Sequence, residues 1–464
     1  MKKVWLIVAL VAFGGLAVRS FADVQNIRLS GDIRIRGYFL DSTGVIPDGP
    51  GQWDSNESFI EQRTRVSCEA DLEDHVLVVV TLQADGEWGA DNQVAGAVGA
   101  GTGPYDGESS AYSHKISRMW GVGIAEAYVQ FNEVFYTPAT LKLGRQYLQY
   151  GRGLILSSVE QEYNYDAARL VLDYYPLTID LVGAELVNNQ AFGGQPSHAG
   201  ANDLLFVNAR YELSDSAIKD IEAYVGYVSQ GDSLLVSETR VPPTTGLSSP
   251  MLVGLRADIN PLDTLQTWWE AAYEFGANGG NTGGSIGAFL LNAGGKFTFK
   301  DTQWVPSLNG NFIYASGGGA GTDTGIGNGQ FRPWFDYADG YNGYLFMPAL
   351  SDIAIFNLGA SVKPYENTTL SLQGYYYMKA DKMGVAGSNG NVDWGGPIWA
   401  APTAGNTADD AYLGWELDGI LGYDYSKDVR AQLVYGVFLP GTAYENVGVA
   451  RAAEEVRAEL LVKF

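Results

Sequence analysis

The sequence predicts an all-β chain, a single transmembrane antiparallel β-barrel of about 18 strands with short turns at one end and long loops at the other. Three observations predict it. Apolar and polar residues alternate along many short segments; side chains alternate across a strand, so one face of each segment suits hydrocarbon and the other water. The connections between segments alternate between short and long. No linker-like stretch divides the 464 residues, although a soluble chain of that length would ordinarily split into several domains.

The last segment shows the alternation best. Val456, Ala458, Leu460, Val462 and Phe464 share one face, and Arg457, Glu459 and Lys463 the other, with Leu461 the exception. As the closing strand of an outer-membrane barrel, it would place its aromatic end at the membrane interface. It would also be the segment that the barrel-assembly machinery engages through Phe464. Taken alone, these residues also fit the edge strand of a soluble sandwich.

At the other end, residues 1–22 read as a secretory signal peptide: Lys2 and Lys3, an apolar run over 4–18, and the small-x-small site Ser20-Phe21-Ala22. The barrel is then expected over 23–464. The apolar run is short for an uncleaved anchor helix. Cys68 is the lone cysteine, so no internal disulfide forms, as suits a chain that crosses an oxidising periplasm. The net charge of −24 argues against a nucleic-acid partner.

In order, the first strand is expected at 26–40, with Ile27, Leu29, Ile33 and Ile35 outward and Arg28, Asp32, Arg34 and Arg36 inward. The second, 59–72, carries Arg63, Arg65, Glu69 and Asp71 inward, and Cys68 toward lipid. A tight turn at Asp74-His75 leads to 75–88, and a long loop at 89–115 to 121–133, where Glu126, Tyr128 and Gln130 share the polar face. Further strands are expected at 140–150, 165–175, 178–187, 204–213, 220–230, 251–260, 265–277, 285–300, 304–316, 352–365, 368–380, 412–425, 428–439 and 452–464. Facing is ambiguous in two places: around Arg145, and near Glu185, where neither face is cleanly polar; a bulge in either strand would flip its later half. A β-propeller would repeat blade by blade, and no such repeat is present.

Inward-facing bases are the main functional signal. Alternation turns Arg34, Arg36, Arg63, Arg65, Arg169, Arg210 and Arg256 toward the lumen, with Lys296, Lys379 and Arg430. Guanidiniums on adjacent inner walls repel unless acids or anionic solutes lie between them. Candidate acidic partners are Asp32, Glu69, Glu126, Asp173, Glu270, Glu274, Glu416 and Asp418. Two readings stay open: an ion-pair network that braces the wall, or a constriction whose low-dielectric wall focuses a field on passing anions.

The outer loops hold many of the excess acids: Asp41, Asp48, Asp54, Asp91, Asp106, Glu108, Asp323, Asp336, Asp339, Asp409 and Asp410. They suit a solvated surface. Calcium or magnesium binding is the alternative, without the loop spacing that a dedicated site needs; no cofactor is expected otherwise. His75, His114 and His198 are scattered over turns and loops, and no nucleophile elbow, P-loop or metal-ligand spacing appears, so no enzymatic activity is expected.

Several segments together resemble the alginate export family of outer-membrane porins. Leu141-Lys142-Leu143-Gly144-Arg145-Gln146-Tyr147-Leu148-Gln149-Tyr150-Gly151 is similar to that family's Leu-x-Leu-Gly-Arg-Gln…Tyr-Gly segment. Ala125-Glu126-Ala127-Tyr128-Val129 and Arg63-Thr64-Arg65 precede it, and Asp166-Ala167-Ala168-Arg169-Leu170 comes after it, with Tyr165 where the family has Phe. Gly414-Trp415-Glu416-Leu417-Asp418 and Phe438-Leu439-Pro440-Gly441 resemble its Gly-x-Glu-x-Asp and Phe-x-Pro-Gly pieces. The resemblance implies an 18-stranded barrel whose arginine-lined lumen passes an anionic polysaccharide such as alginate. It also implies that Arg63, Arg65, Arg145 and Arg169 face the lumen.

The expected function is therefore passive passage of hydrophilic anionic solutes, or of an anionic polysaccharide, through a channel in the bacterial outer membrane. Its partners would be outer-membrane lipid and a hydrophilic or anionic carbohydrate solute. The rival reading is a structural or adhesive surface barrel plugged by its own loops. The loop at 317–350, with Trp334, Phe335, Tyr337 and Tyr341, is hydrophobic enough to fold inward.

Overall fold

The computed structural model describes residues 26–41, 57–72, 75–89, 120–158, 164–188, 201–213, 217–229, 249–277, 285–318, 329–331, 334, 342–348, 350–381, 411–443 and 451–464. The signal peptide lies outside these residues, as do all the outer-loop acids named above except Asp41.

The strands are β1 (Asn26–Asp41), β2 (Glu57–Asp71), β3 (Val76–Glu87), β4 (Gly121–Phe131), β5 (Ala139–Gln146) and β6 (Tyr165–Tyr174). Next come β7 (Leu177–Asn188), β8 (Ala201–Glu212), β9 (Ile218–Ser229), β10 (Ser249–Leu262), β11 (Leu265–Ala277) and β12 (Ser285–Thr298). The last six are β13 (Ser307–Ala315), β14 (Ile353–Tyr365), β15 (Thr368–Lys379), β16 (Tyr412–Asp424), β17 (Val429–Pro440) and β18 (Ala453–Lys463). Each pairs antiparallel with the next, and β18 pairs with β1, so the 18-stranded sheet closes on itself. Closure leaves no open edge, as hydrocarbon requires of a spanning sheet. The seam is completed by Gly31 and Phe464, which exchange backbone hydrogen bonds of 2.8 and 3.0 Å.

The outer surface is apolar. Leu29 on β1 and Leu358 on β14 are 72 and 74% exposed. In water such a surface would cost about 25 cal/mol per Å²; against lipid tails that cost disappears. Exposed aromatics crowd the short-turn end, where Phe135, Tyr136, Tyr174, Tyr175, Tyr365 and Tyr425 project. Trp88 and Trp415 stand at the long-loop end. Two aromatic girdles of this kind mark membrane interfaces.

The inside is not uniformly polar. Two segments at the long-loop end turn into the barrel and build an apolar cluster against the wall. One leaves β5 and contributes Leu148, Tyr150, Leu154, Ile155 and Leu156; the other joins β13 to β14 and contributes Phe331, Trp334, Leu345, Phe346 and Leu350. Wall residues beneath them are apolar too: Val182, Leu204, Phe206, Leu252, Leu290 and Ile355. That second inner layer explains why neither face of β7 reads as polar, since Val182 and Ala184 turn inward against the loop cluster.

Candidate functional site

The inner wall of β1, β2 and β18 carries a block of arginines set by strand register. Arg34 is directly opposite Arg63, Asp32 opposite Arg65, and Arg36 opposite Glu61. On the other side of β1, Arg36 faces Glu459 and Tyr38 faces Arg457. Arg34 and Arg63 would repel across the ladder, but carboxylates are interleaved. Asp32 accepts from Arg65 Nε at 2.7 Å and from Arg63 Nη2 at 3.4 Å. Glu61 Oε1 lies 4.0 Å from Arg34 and 3.9 Å from Arg36, and Arg36 Nε also donates to Glu459. Arg457 is fixed between two aromatic rings, 5.3 Å from the centre of Tyr38 and 4.8 Å from that of Tyr344.

A second group of bases lines β5 to β10. Arg169 donates to Asp180 from Nε at 2.9 Å and lies 5.7 Å from the Tyr150 ring centre. Lys142, directly opposite Arg169, sits 3.9 Å over the Tyr128 ring. Arg210 donates to Asp220 at 2.7 Å, and Arg256 donates to Glu222 at 2.8 Å and also to Asp258.

The loop after β5 is seated on these acids. Gln146, fully buried, donates to the carbonyls of Gly144 and Ala167 at 3.1 and 3.0 Å and so fixes the end of the strand. The chain then turns inward, held by Tyr150 N–H to the Leu156 carbonyl at 3.0 Å. At the tip, Gly151 N–H donates to Glu222 at 2.9 Å and Arg152 N–H to Glu270 at 3.0 Å. Gly151 has a φ of +59°, and a Cβ there would meet Glu270 Oε1 at 2.2 Å, so the seat admits only glycine. Arg152 completes the contact, 4.5 Å from the Trp268 ring centre and 3.6 Å from Asp258.

The loop between β13 and β14 has its own seat. Glu416 accepts the backbone N–H groups of Tyr344, Leu345 and Phe346 at 2.6, 2.8 and 2.8 Å. Gly343, with a φ of +107°, lets those three donors converge on one carboxylate. Phe346 stacks on Phe438 at 4.7 Å, and the Trp334 indole N–H donates to Glu274 at 3.2 Å. Glu222, Glu270, Glu274 and Glu416 thus hold loops, while Asp32, Glu61 and Glu459 stand among the arginines of the seam. At the base of this loop Asp352 is buried and accepts the Asp381 N–H at 2.7 Å. Burial pushes its carboxyl up to about 7, against the pull of the Asp381 N–H.

Of the expected lumen residues, Arg34, Arg36, Arg63, Arg65, Arg169, Arg210 and Arg256 turn inward, as do Glu69, Glu126, Asp173, Glu416 and Asp418. Several of these acids have partners of their own. Glu69 pairs with Arg28 at 3.1 Å, Glu126 accepts the Thr81 hydroxyl at 3.2 Å, and Asp173 accepts that of Thr178 at 3.4 Å. Glu416 lies under the second loop, and Asp418 is buried beside it. Arg145 needs correction: it stands on the outward face, paired with Asp166 at 2.8 Å, because β5 keeps its alternation and Leu141 and Leu143 share that face. The inward base on that strand is Lys142. Arg457 and the two loop seats were missing from the expected site. Arg457 was legible as a polar-face residue of the last strand; the seats had no local signal.

A family model described as Alginate export matches residues 46–458. No curated protein matches the chain. Among solved structures it is similar to three Pseudomonas aeruginosa proteins. OccK9 (OpdG) has 10% identity, covering 95% of this chain and 99% of that one, with a TM-score of 0.56. OccK11 (OpdR) has 12% identity over 96 and 97%, with a TM-score of 0.53. OccK2 (OpdF), solved in complex with glucuronate, has 9% identity over 95 and 97%, with a TM-score of 0.52. At such identities the likeness speaks for the barrel, while the family match over most of the chain speaks for descent. The chain belongs to the alginate export family and is a channel-forming β-barrel of the bacterial outer membrane.

Proposed function

We propose that this porin passes anionic solutes, small sugar acids or a strand of anionic polysaccharide, down their own gradient and without a chemical step. The observation that carries the reading is the arginine block of Arg34, Arg36, Arg63, Arg65 and Arg457 on three adjacent strands at the closing seam. Arg169 and Lys142 extend the basic wall. In a narrowed lumen with low-dielectric walls, such a block raises the local concentration of anions and lowers that of cations. That OccK2 was solved with glucuronate supports a sugar acid as one such solute. β18, followed by Phe464, is proposed as the strand that the barrel-assembly machinery takes up.

Planar bilayers in a KCl gradient test the reading. Stable channels with a reversal potential on the chloride side are expected; cation preference would overturn it. A loop-plugged surface barrel is favoured by the clamp of Tyr344–Phe346 on Glu416. Bilayers that stay silent would select that reading instead.

A further inference from the structure

One inward cluster has no part in the arginine wall or the loop seats. It is a run of neutral amides: Asn309 and Asn311 on β13, Asn357 on β14 and Gln373 on β15. Asn309 Nδ2 donates to Asn357 Oδ1 and to Gln373 Oε1, each at 3.1 Å. Asn357 Nδ2 donates to Gln373 Oε1 and to the Gly374 carbonyl at 3.2 Å, and Gln373 Nε2 returns a bond to Asn309 Oδ1 at 3.3 Å. At one end the Trp268 indole N–H donates to Asn311 Oδ1 at 2.9 Å, which fixes that amide with its NH2 group away from the ring.

A primary amide has two N–H donors and an oxygen with two lone pairs. The bonds above occupy only part of that capacity. Among the described residues, the Asn311 NH2 group and the second Gln373 N–H make no hydrogen bond. Asn309, Asn311 and Gln373 are half-buried on the lumen side. A preordered array of alternating donors and acceptors, without charge, matches the vicinal hydroxyls of a carbohydrate, each of which both donates and accepts. Plain carboxylates and halide ions offer it no donors. In the ring of 18 strands, β14 and β15 stand diametrically across from β5 and β6, which carry Lys142 and Arg169.

We propose that Asn309, Asn311, Asn357 and Gln373 form a hydroxyl-reading wall. It makes the channel discriminate polyhydroxylated solutes from unhydroxylated ones of the same charge. The proposal rests on the anion reading for its charged solutes and adds to it a second wall with a different chemistry. Trp268 is a positioning residue that holds Asn311.

The test compares gluconate with hexanoate, monoanions of the same chain length, by bi-ionic reversal potentials with potassium as the common cation. Wild type is expected to prefer gluconate, although it is the bulkier ion. Combining Asn309→Leu, Asn311→Leu and Gln373→Leu removes the amides that would face a passing solute, so the gluconate-to-hexanoate permeability ratio should fall about fivefold, the equivalent of one hydrogen bond of ordinary net strength to the solute. The chloride-to-potassium ratio should not move. A wild-type ratio at or below unity, or an unchanged ratio in the variant, overturns the proposal. If the triple variant yields no pores, Gln373→Met alone, close in shape, is read in the same way. Cation preference in KCl would end the anion reading alone; the amide wall is then judged by current block with neutral maltotriose, which must weaken in the variant.

Discussion

The Arg152 guanidinium lies 4.5 Å from the centre of the Trp268 ring. Arg152 belongs to the loop that leaves β5, and Trp268 to β11, well round the barrel wall, so this contact ties the loop tip down across the lumen. A cation over an indole contributes about 0.5–2 kcal/mol, more as water is excluded. Arg152→Ala removes that contact and the pairing with Asp258 while leaving the backbone bonds of Gly151 to Glu222 and of residue 152 to Glu270 in place. Single-channel conductance and open-channel noise should both rise. Unchanged currents would assign the hold on the loop to Glu222 and Glu270 alone.

Arg63 and Arg65 decide between a braced wall and an ion filter. Both contact Asp32, and Arg63 faces Arg34. Arg63→Glu with Arg65→Glu reverses the sign of the block at the seam. If the block attracts permeating anions, the reversal potential in a KCl gradient moves toward the potassium side, and the effect shrinks in molar salt as screening sets in. A reversal potential that stays put makes these residues wall braces.

The legibility of each strand in the sequence depends on what covers its two faces. Strands such as β1 lie between lipid and a polar wall, and their alternation gave both the element and its facing: Arg34 and Arg36 in, Ile33 and Ile35 out. The even strand number and the closing role of β18 were readable for the same reason. Legibility failed where the inner face is covered by protein. On β7 and β8, Val182, Ala184, Leu204 and Phe206 point inward onto loop residues, so period-two patterning disappears. The end of β5 was placed too late: the chain leaves the wall after Gln146, and only an isolated bridge, Tyr150 to Leu156, continues the pairing. Several segments that carry the family resemblance turn out to be loop seats. Gly151 closes the first, and Glu416 and Phe438 meet at the second; residues so far apart in sequence give no local sign that they share a partner.

Glu416 is the anchor of the second loop. Its carboxylate accepts three backbone N–H groups and the Tyr377 hydroxyl, the last at 3.2 Å. Glu416→Ala would strand three donors in a buried place, at about 1–3 kcal/mol each. The loop should then leave its seat, raising conductance and exposing the chain around Tyr344 to proteolysis from outside. Glu416→Gln keeps an acceptor but loses the charge, and should fall between the two. A pore equally narrow in all three proteins would show that Phe346 on Phe438 suffices to hold the loop.

Asp352 predicts how that loop responds to pH. Its carboxyl sits at about 7, above its ordinary 3.8, because burial disfavours the charged form; Asp381 adds to the rise and Lys379 opposes it. The folded state therefore holds more protons than the unfolded one between those two values, so stability falls as pH rises through that window and levels off above it. The neutral acid is the form that the buried seat favours, and ionisation loosens the base of the β13–β14 loop. Brief openings in single-channel records should thus be rarer at pH 5 than at pH 8. Asp352→Asn, neutral throughout, should keep the low-pH behaviour at both values. A pH dependence that survives in this variant would place the titrating group elsewhere in the lumen.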